Sequence, residues 1–403
     1  MNVRAKFSLL APCVLLAACS SVQPPASVVV APPPSPAVEI PVPMLPPPPA
    51  ASVPVVSPPP SPAVPARISE MEARSLAGRL LPAGIRDRAG WRDEMVTAFT
   101  ALKIPYSKEH FCAAIAVIEQ ESSWQADPVV PGLPGMVWAG IEKKASPVPM
   151  ALVKAALLKP SRDGRSYKAR IDSLRTEREV SELFDELSGE ARRLSLPVGM
   201  SNPVRTGGPM QVSVAFAEAQ LSAWPHYPYP RAGSVRAEVF TRRGGLYFGI
   251  ANLLQYPVNY SEMKYRFADF NAGRYSSRNA AFQQVVSRLS GRALSSDGDL
   301  LSYRGAQVLP SETQFALEAM GSKLGLSRDA IARDLRQEKF AAFAQTELYR
   351  RVYALADAQG LRAPREAMPQ IALKSPKITR KLTTEWFAGR VDGRYRTCLQ
   401  RVP

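Results

Sequence analysis

Histidine is scarce in this sequence, since His110 and His226 are the two histidines among 403 residues. Neither has a metal-ligand partner at a recognisable spacing. The sequence also lacks a glycine-rich phosphate loop and a nucleophile elbow, which leaves nucleotide and serine-hydrolase chemistry without support. We therefore expect no metal and no other cofactor.

Long apolar runs are also lacking, and the one at residues 7–16 is too short to span a membrane. Arg4 and Lys6 precede it and "LAAC" ends it at Cys19, which predicts an export signal at residues 1–18. The position of Cys19 resembles the lipobox of bacterial lipoproteins, and Ser20 after it is typical of outer-membrane members. The resemblance implies a lipid anchor on Cys19, an outer-membrane location and a domain that faces the periplasm.

Charge is nearly absent from residues 24–65, where Glu39 stands among 18 of the 39 prolines of the chain. Proline cannot donate a backbone hydrogen bond, so residues 24–65 are predicted to be a polyproline II-like spacer. Residues 19–66 are therefore predicted to comprise the lipidated cysteine and a proline-rich linker. Fully extended, residues 24–65 would reach about 130 Å.

Few cysteines are left once the signal and Cys19 are set aside. Cys112 and Cys398 remain, and in an oxidising compartment they either form a disulfide or stay free. The sequence leaves both alternatives open, because the distance between the two residues cannot be read from it.

Acidic residues are outnumbered, and the chain has a formal net charge of +16. Such an excess favours a polyanionic partner. For an exported protein we expect cell-wall peptides, lipopolysaccharide or membrane headgroups, and no nucleic acid.

Strand-like alternation is scarce too, whereas helical periodicity recurs, so the sequence predicts an all-α domain at residues 67–403. Ser107, Ser311 and Ser327 are predicted N-caps, and Gly325 and Gly360 are predicted helix stops. A charged helical insertion is expected at about residues 136–200, and a basic tail at about residues 361–403. The predicted helices are residues 68–81, 85–102, 108–123, 167–196, 211–224, 235–255, 260–270, 279–289, 311–324 and 327–358.

Two glutamates end the apolar helix that begins near Lys108. Glu119 and Glu121 point about 200° apart on a helix, so at most one of them faces a given cleft. A carboxylic acid that borders apolar residues gains a raised pKa and can act as a general acid. Periodicity alone leaves the choice open, and an ordinary surface role for both is the alternative.

Three short motifs follow one another in the chain: "ES" at residues 121–122, "GPMQ" at residues 208–211 and "FADFNAG" at residues 267–273. In this order they resemble the E-S, G-L-M-Q and A-Y-N-A-G motifs of the lytic transglycosylases of the lysozyme-like superfamily. The resemblance covers about residues 111–282. The chain is also similar to lipoproteins grouped as a domain of unknown function.

The resemblance implies a lysozyme-like fold that cleaves the bond between N-acetylmuramic acid and N-acetylglucosamine in peptidoglycan and leaves a 1,6-anhydro product. Glu121 would be the single catalytic acid and base, supported by Ser122. The substrate-binding residues would be Gly208, Met210, Gln211, Phe270 and Asn271. The partners would be glycan strands, the membrane through the lipid anchor, and other envelope proteins.

The sequence departs from the family pattern in four places. Pro209 replaces Leu, Phe270 replaces Tyr, Asn202 stands where a Ser is expected, and Gly208 comes 87 positions after Glu121. A non-catalytic module that binds peptidoglycan or serves as an envelope scaffold is therefore the alternative. Trp124, Trp138 and residues 224–230 are candidate sugar-stacking aromatics, with a rigid surface turn as the alternative for residues 224–230.

Overall fold

The structure is a computed structural model that describes residues 68–145, 148–193, 201–230, 233–305, 307–373 and 382–402. The predicted signal, Cys19 and the proline-rich linker lie outside these residues. No described helix combines the length and apolar composition needed to cross a lipid bilayer.

Helices dominate the described residues, so the predicted all-α class is confirmed. Within the described residues the strands form three two-stranded antiparallel hairpins, which pair β1 with β2, β3 with β4 and β5 with β6. The helices are α1 (Glu70–Leu80), α2 (Arg88–Leu102), α3 (Lys108–Glu121), α4 (Leu133–Ala145), α5 (Met150–Ala156), α6 (Tyr167–Asp172), α7 (Glu177–Arg193), α8 (Val214–Ala223), α9 (Val235–Val239), α10 (Arg242–Leu254), α11 (Met263–Ala272), α12 (Ser276–Ser290), α13 (Glu312–Ala319), α14 (Gly321–Leu324), α15 (Arg328–Leu335), α16 (Glu347–Ala358) and α17 (Thr384–Leu399), with a 3-10 helix at Ala341–Gln345. The strands are β1 (Thr206–Gly207), β2 (Val212–Ser213), β3 (Ser302–Arg304), β4 (Gln307–Leu309), β5 (Ala372–Leu373) and β6 (Leu382–Thr383).

The predicted helix starts are confirmed at Ser107, Ser311 and Ser327. Each serine hydroxyl accepts a hydrogen bond from the backbone N–H three residues further on, which satisfies a donor that the helix itself cannot pair. Gly325 ends α14 in the left-handed conformation, with φ +63°. The short polar side chains and the glycine thus set these boundaries locally.

A first hydrophobic cluster surrounds α3. Residues 111–118 are all buried, and a helix that is apolar on every side must be covered on every side. The cover comes from α1, α10 and α17, and from Phe99 of α2, whose ring lies 4.6 Å from that of Phe111 between centroids. This first cluster also takes in Met210 and Phe267 from the two later motifs.

The helix α17 was not predicted, because its many charges hide a narrow apolar stripe. Phe387, Val391 and Cys398 are buried at helical spacing, and α17 packs against both α3 and α11. Cys398 forms a disulfide with Cys112 of α3, with 5.5 Å between the Cα atoms. Much of the predicted basic tail is therefore part of the first cluster.

A second hydrophobic cluster is built by the predicted insertion. Residues between Leu133 and Leu187 enclose it together with Val204 and Phe240 from outside the segment. The predicted helix at 167–196 is divided, since α6 ends at Asp172 and α7 begins after Thr176. Glu179 accepts from the backbone N–H of Thr176, and the Thr176 hydroxyl accepts from that of Glu179, a reciprocal cap that starts a new helix.

A third cluster packs α12, α13, α15 and α16 around Phe282 and Phe343. The predicted helix at 327–358 is interrupted here, because Glu338 is fully buried between α15 and the 3-10 helix. Its carboxylate accepts hydrogen bonds from the backbone N–H of Leu300 and the hydroxyl of Tyr303. This tertiary network overrides the helical periodicity of the segment.

Candidate functional site

Glu119 and Glu121 occupy the end of α3, and both are half-buried. Glu119 faces α17 and the residues just after it. Its two carboxylate oxygens lie 4.0 Å from Nε of Arg394 in α17 and 3.9 Å from Nη2 of Arg401. Helical geometry turns Glu121 about 200° away from this side. The two carboxylates therefore serve different surfaces of the same helix.

The chain turns sharply just after Glu121. Ser122 is buried, and its hydroxyl donates to the carbonyl of Ile118 at 3.0 Å. Ser123 and Trp124 follow with φ +48° and +67°, a left-handed conformation that non-glycine residues rarely adopt. Consecutive strained residues of this kind occur preferentially where a side chain must be held for function.

Trp124 is fixed by this turn rather than displayed on the surface. Its ring meets Trp91 edge to face with 5.2 Å between the centroids. The guanidinium of Arg242 lies over the ring of Trp91, 5.4 Å from its centroid. The indole N–H of Trp124 is buried and has no hydrogen-bond partner among the described residues, so a donor is present beside the turn.

Gly208 and Gln211 begin and end the turn that joins β1 to β2. Gly208 has φ +73°, and a Cβ there would overlap the carbonyl oxygen of Val239. Gln211 also lies in the left-handed region, with φ +48°. Its amide nitrogen donates to the Gly208 carbonyl at 3.3 Å, so the side chain folds back over its own turn.

Pro209 and Met210 pack directly on α10. A Cβ on Gly245 would meet the Pro209 ring, and one on Gly249 would meet the Met210 side chain. Met210 has no exposed surface and is part of the first cluster. The proline that replaces the family's leucine thus lies against a helix face of small residues.

Phe270 and Asn271 lie near the end of α11. Phe270 is half-buried against the first cluster. The side-chain oxygen of Asn271 accepts a hydrogen bond of 2.9 Å from the Thr384 hydroxyl at the start of α17. Gly273 then ends the helix with φ +115°, so α17 is attached to the motif that resembles A-Y-N-A-G.

Asp269 belongs to the same motif and is fully buried. Its carboxylate accepts from the backbone N–H groups of Tyr275 and Ser277 at 2.9 and 2.7 Å, and from the hydroxyls of Tyr256 and Tyr260. Burial raises the pKa of this carboxyl. Its hydrogen bonds connect the end of α11 to the start of α12, which is a structural role.

The other predicted aromatics have partners within the fold. Trp138 donates to Asp172 at 2.8 Å, and Trp224 donates to the carbonyl of Ala101 at 3.0 Å. Tyr227 stacks on Phe248. These contacts favour a rigid surface turn over sugar-stacking aromatics for residues 224–230.

Asn202 and Asp127 attach the second cluster to the rest of the chain. Asn202 donates to Ser181 and Asp185 of α7, and Asp127 pairs with Arg178 at 2.8 Å. The described residues contain no group of three or more histidine, cysteine or acidic side chains placed to hold a metal ion.

A groove between α3 and α17 was missed by sequence reasoning. It has a volume of about 260 Å³ and is lined by Glu119, Gly389, Arg390, Gly393, Arg394 and Thr397. Gly389 and Gly393 could have indicated the groove, since two glycines four residues apart are unusual inside a helix. This signal can be recognised only once α17 is known to be a helix.

The comparisons with known proteins place the chain in a family. The family model described as "Protein of unknown function (DUF1615)" matches residues 84–401. The chain belongs to the DUF1615 family. The DUF1615 match includes α3, the turn at residues 208–211, α11 and α17, and so every predicted site residue except Cys19.

One relative, from Escherichia coli (strain K12), bears the name "Uncharacterized protein YaiW". It is 46% identical to this DUF1615 chain over 334 residues, which cover 82% of this chain and 90% of the relative. No solved structure matches, so the lysozyme-like fold expected from the resemblance stays a prediction.

Proposed function

We propose that this protein cleaves the glycan strands of peptidoglycan, with Glu121 as the single catalytic acid and base. The observation that carries the proposal is the end of α3. There a half-buried glutamate, which helical geometry turns about 200° from Glu119, is followed at once by a buried serine and two left-handed residues. Such strain indicates that the position of Glu121 matters more than the cost of holding it.

The proposed reaction needs one carboxyl group. Protonated Glu121 gives its proton to the glycosidic oxygen between N-acetylmuramic acid and N-acetylglucosamine, and the C–O bond breaks to leave an oxocarbenium-like centre. The resulting carboxylate then takes the proton from the C6 hydroxyl, whose oxygen closes the 1,6-anhydro ring. Glu121 ends protonated as it began, and no water is consumed. A second carboxylate is needed only when water or the enzyme supplies the nucleophile.

In the proposal the remaining motif residues shape and fill the cleft. Gln211 and Asn271 contact the sugar, and the amide nitrogen of Asn271 can donate while its oxygen accepts from Thr384. Ser122 steadies the end of α3, and Phe270 offers an apolar face. Gly208 and Met210 do not contact the sugar in this proposal; they allow the turn at residues 208–211 to pack closely on α10.

A second candidate is a non-catalytic module that binds glycan strands. Two observations favour it: Phe270 lacks the hydroxyl of the family's tyrosine, and Met210 is fully buried instead of lining an open surface. In this case the same cleft holds the strand as a tether or scaffold, and Glu121 accepts hydrogen bonds from the sugar.

The two functions are separated by incubating the full-length protein, in detergent, with purified sacculi. Mass spectrometry of the soluble products should show anhydromuropeptides with the parent and at least a hundredfold fewer with Glu121→Gln. Glu109→Gln is the matched control, since it changes the same residue type on the same helix at an exposed position and should retain the product. Binding to sacculi without any product would instead support the module.

We also propose that Cys19 carries the lipid that anchors the protein to the outer membrane, with residues 20–66 as the spacer. Labelling cells with an alkynyl fatty acid should tag the parent protein and leave Cys19→Ser untagged. Cys13→Ser is a control for this chemistry, because Cys13 lies in the predicted export signal and should be removed with it. Equal labelling of the parent and Cys19→Ser would exclude this anchor.

A further inference from the structure

The groove between α3 and α17 lies on the side of α3 opposite to Glu121. Its lining mixes two arginines, Arg390 and Arg394, with the carboxylate of Glu119 and the hydroxyl of Thr397. A space of about 260 Å³ is below the range typical of drug-sized ligands. It therefore suits a small charged group better than a disaccharide.

The floor of the groove is open because Gly389 and Gly393 have no side chains. A Cβ at either position would meet no atom within 4 Å, so packing does not require glycine there. Both glycines lie inside α17, where glycine weakens a helix relative to alanine. The two glycines thus lower the stability of α17 at positions one turn apart, and they leave an open space beside Arg390 and Arg394.

The cations of the groove have unused hydrogen-bonding capacity. Within the described residues the guanidinium of Arg390 forms no ion pair and no hydrogen bond. Nε of Arg394 is buried without a hydrogen-bond partner in this part of the chain. The nearest Glu119 oxygen lies 4.0 Å away, too far for a hydrogen bond. A buried donor of this kind calls for an acceptor.

The lining carries both signs of charge. Glu119 makes no hydrogen bond to Arg394 or Arg401, so its oxygens can accept from an ammonium. Thr397 donates to the carbonyl of Gly393 at 3.0 Å, which leaves its oxygen as a further acceptor. A phosphate would meet the arginines but would be repelled by Glu119, whereas a zwitterion satisfies both.

We propose that this groove binds a zwitterionic α-amino acid group, an ammonium and a carboxylate on one carbon, at the free end of a peptidoglycan stem peptide. The carboxylate is held by Arg390 and Arg394, and the ammonium by Glu119 and Thr397. The source of the group rests on the proposed peptidoglycan substrate, while the amino acid chemistry rests on the groove itself.

The test is isothermal titration of the full-length protein, in detergent, with a disaccharide tripeptide that ends in diaminopimelate. The Glu121→Gln background keeps the ligand intact. Gly393→Leu should weaken binding at least tenfold because the side chain fills the groove, and Arg390→Gln should weaken it similarly. Gly189→Leu is the matched control, since Gly189 also lies inside a helix with open space around it.

Three further ligands decide the chemistry. The same muropeptide with its free amine acetylated should lose at least tenfold in affinity, and inorganic phosphate should not compete. The proposal is overturned if Gly393→Leu, with a melting temperature at or above that of the parent, binds the muropeptide as the parent does. It is also overturned if the peptide-free disaccharide binds as tightly as the muropeptide, or if phosphate displaces the muropeptide at equal concentration.

Failure of this proposal differs from failure of the proposed cleavage. Groove-dependent binding by a parent protein that releases no product from sacculi supports the groove and contradicts the enzyme. Release of anhydromuropeptides with unchanged affinity in Gly393→Leu and Arg390→Gln supports the enzyme and overturns the groove.

Discussion

The first and third clusters hold their helices together by opposite means. Around α3, eight consecutive buried residues are joined covalently to α17 by the Cys112–Cys398 disulfide. Around α12, a buried carboxylate, Glu338, is held by Leu300, Tyr303 and Lys339. The first arrangement depends on apolar area and one bond, and the second depends on every polar partner being present.

The difference teaches where each region is vulnerable. Removing single atoms from apolar packing lowers the free energy of unfolding gradually. Removing one partner of a buried ion pair leaves the remaining charge buried without compensation, which costs its full desolvation free energy. Burial already raises the pKa of Glu338. We therefore expect reduction to affect the first cluster and single polar substitutions to affect the third.

Removing the disulfide should have the largest effect. Cys112→Ala with Cys398→Ala releases a loop of 286 residues, and we expect a loss of up to about 5 kcal/mol in the free energy of unfolding because the unfolded chain gains freedom. Urea unfolding monitored by circular dichroism measures it.

Hydrogen exchange should place this loss in α3 and α17 and leave α12 and α16 protected. Equal loss of protection in all four helices would mean that the two clusters unfold as one unit, which would break the comparison.

Replacing Glu338 with alanine should come next, at about 3–5 kcal/mol, because the Leu300 N–H and the Tyr303 hydroxyl lose their acceptor inside the protein and Lys339 keeps only Asp299 as an ion-pair partner. Thermal unfolding in oxidising buffer measures the change. Glu312→Ala is a control, since Glu312 is a carboxylate in the first turn of α13 that has no buried partner among the described residues. A loss below 1 kcal/mol for Glu338→Ala would show that the polar network contributes little.

Gly208→Ala should have the smallest of the three effects, about 3 kcal/mol. It combines a left-handed alanine, at about 1–2 kcal/mol, with a clash against the Val239 carbonyl, at about 1–3 kcal/mol. Gly291→Ala is matched to it in the third cluster, because Gly291 has φ +70° but open space around its Cβ position.

Gly291→Ala should therefore lower the free energy of unfolding only by the cost of a left-handed alanine, about 1 kcal/mol. Chemical denaturation of both variants gives the difference. Equal losses would indicate that the turn at residues 208–211 moves away from α10 without cost.

Local signals in the sequence predicted much of the fold. The all-α class, the apolar helix at α3 and the caps at Ser107, Ser311 and Ser327 follow from periodicity and short polar side chains. Interruptions caused by tertiary contacts could not be predicted, as at Glu338, whose partners Leu300 and Tyr303 lie more than 30 residues away. The cap at Thr176 was readable as T-x-x-E and was missed.

The candidate site divides in the same way. Both glutamates at the end of α3 were recognised, and helical geometry separated their directions. The groove beside Glu119 depends on α17, whose charges concealed its buried stripe, and on a cysteine pair whose distance no spacing reveals. Family membership is shown by the DUF1615 match, while the role of Glu121 stays a proposal.

The disulfide also sets an order of events in biosynthesis. A ribosome makes Cys112 hundreds of residues before Cys398, so α3 exists long before the helix that completes its cover. During that interval the apolar α3 segment and the Cys112 thiol are present before the segment that carries Cys398 has been made. A chain that ends before Cys398 would leave Cys112 without its disulfide partner. We expect a nascent chain in this state to bind a holding chaperone.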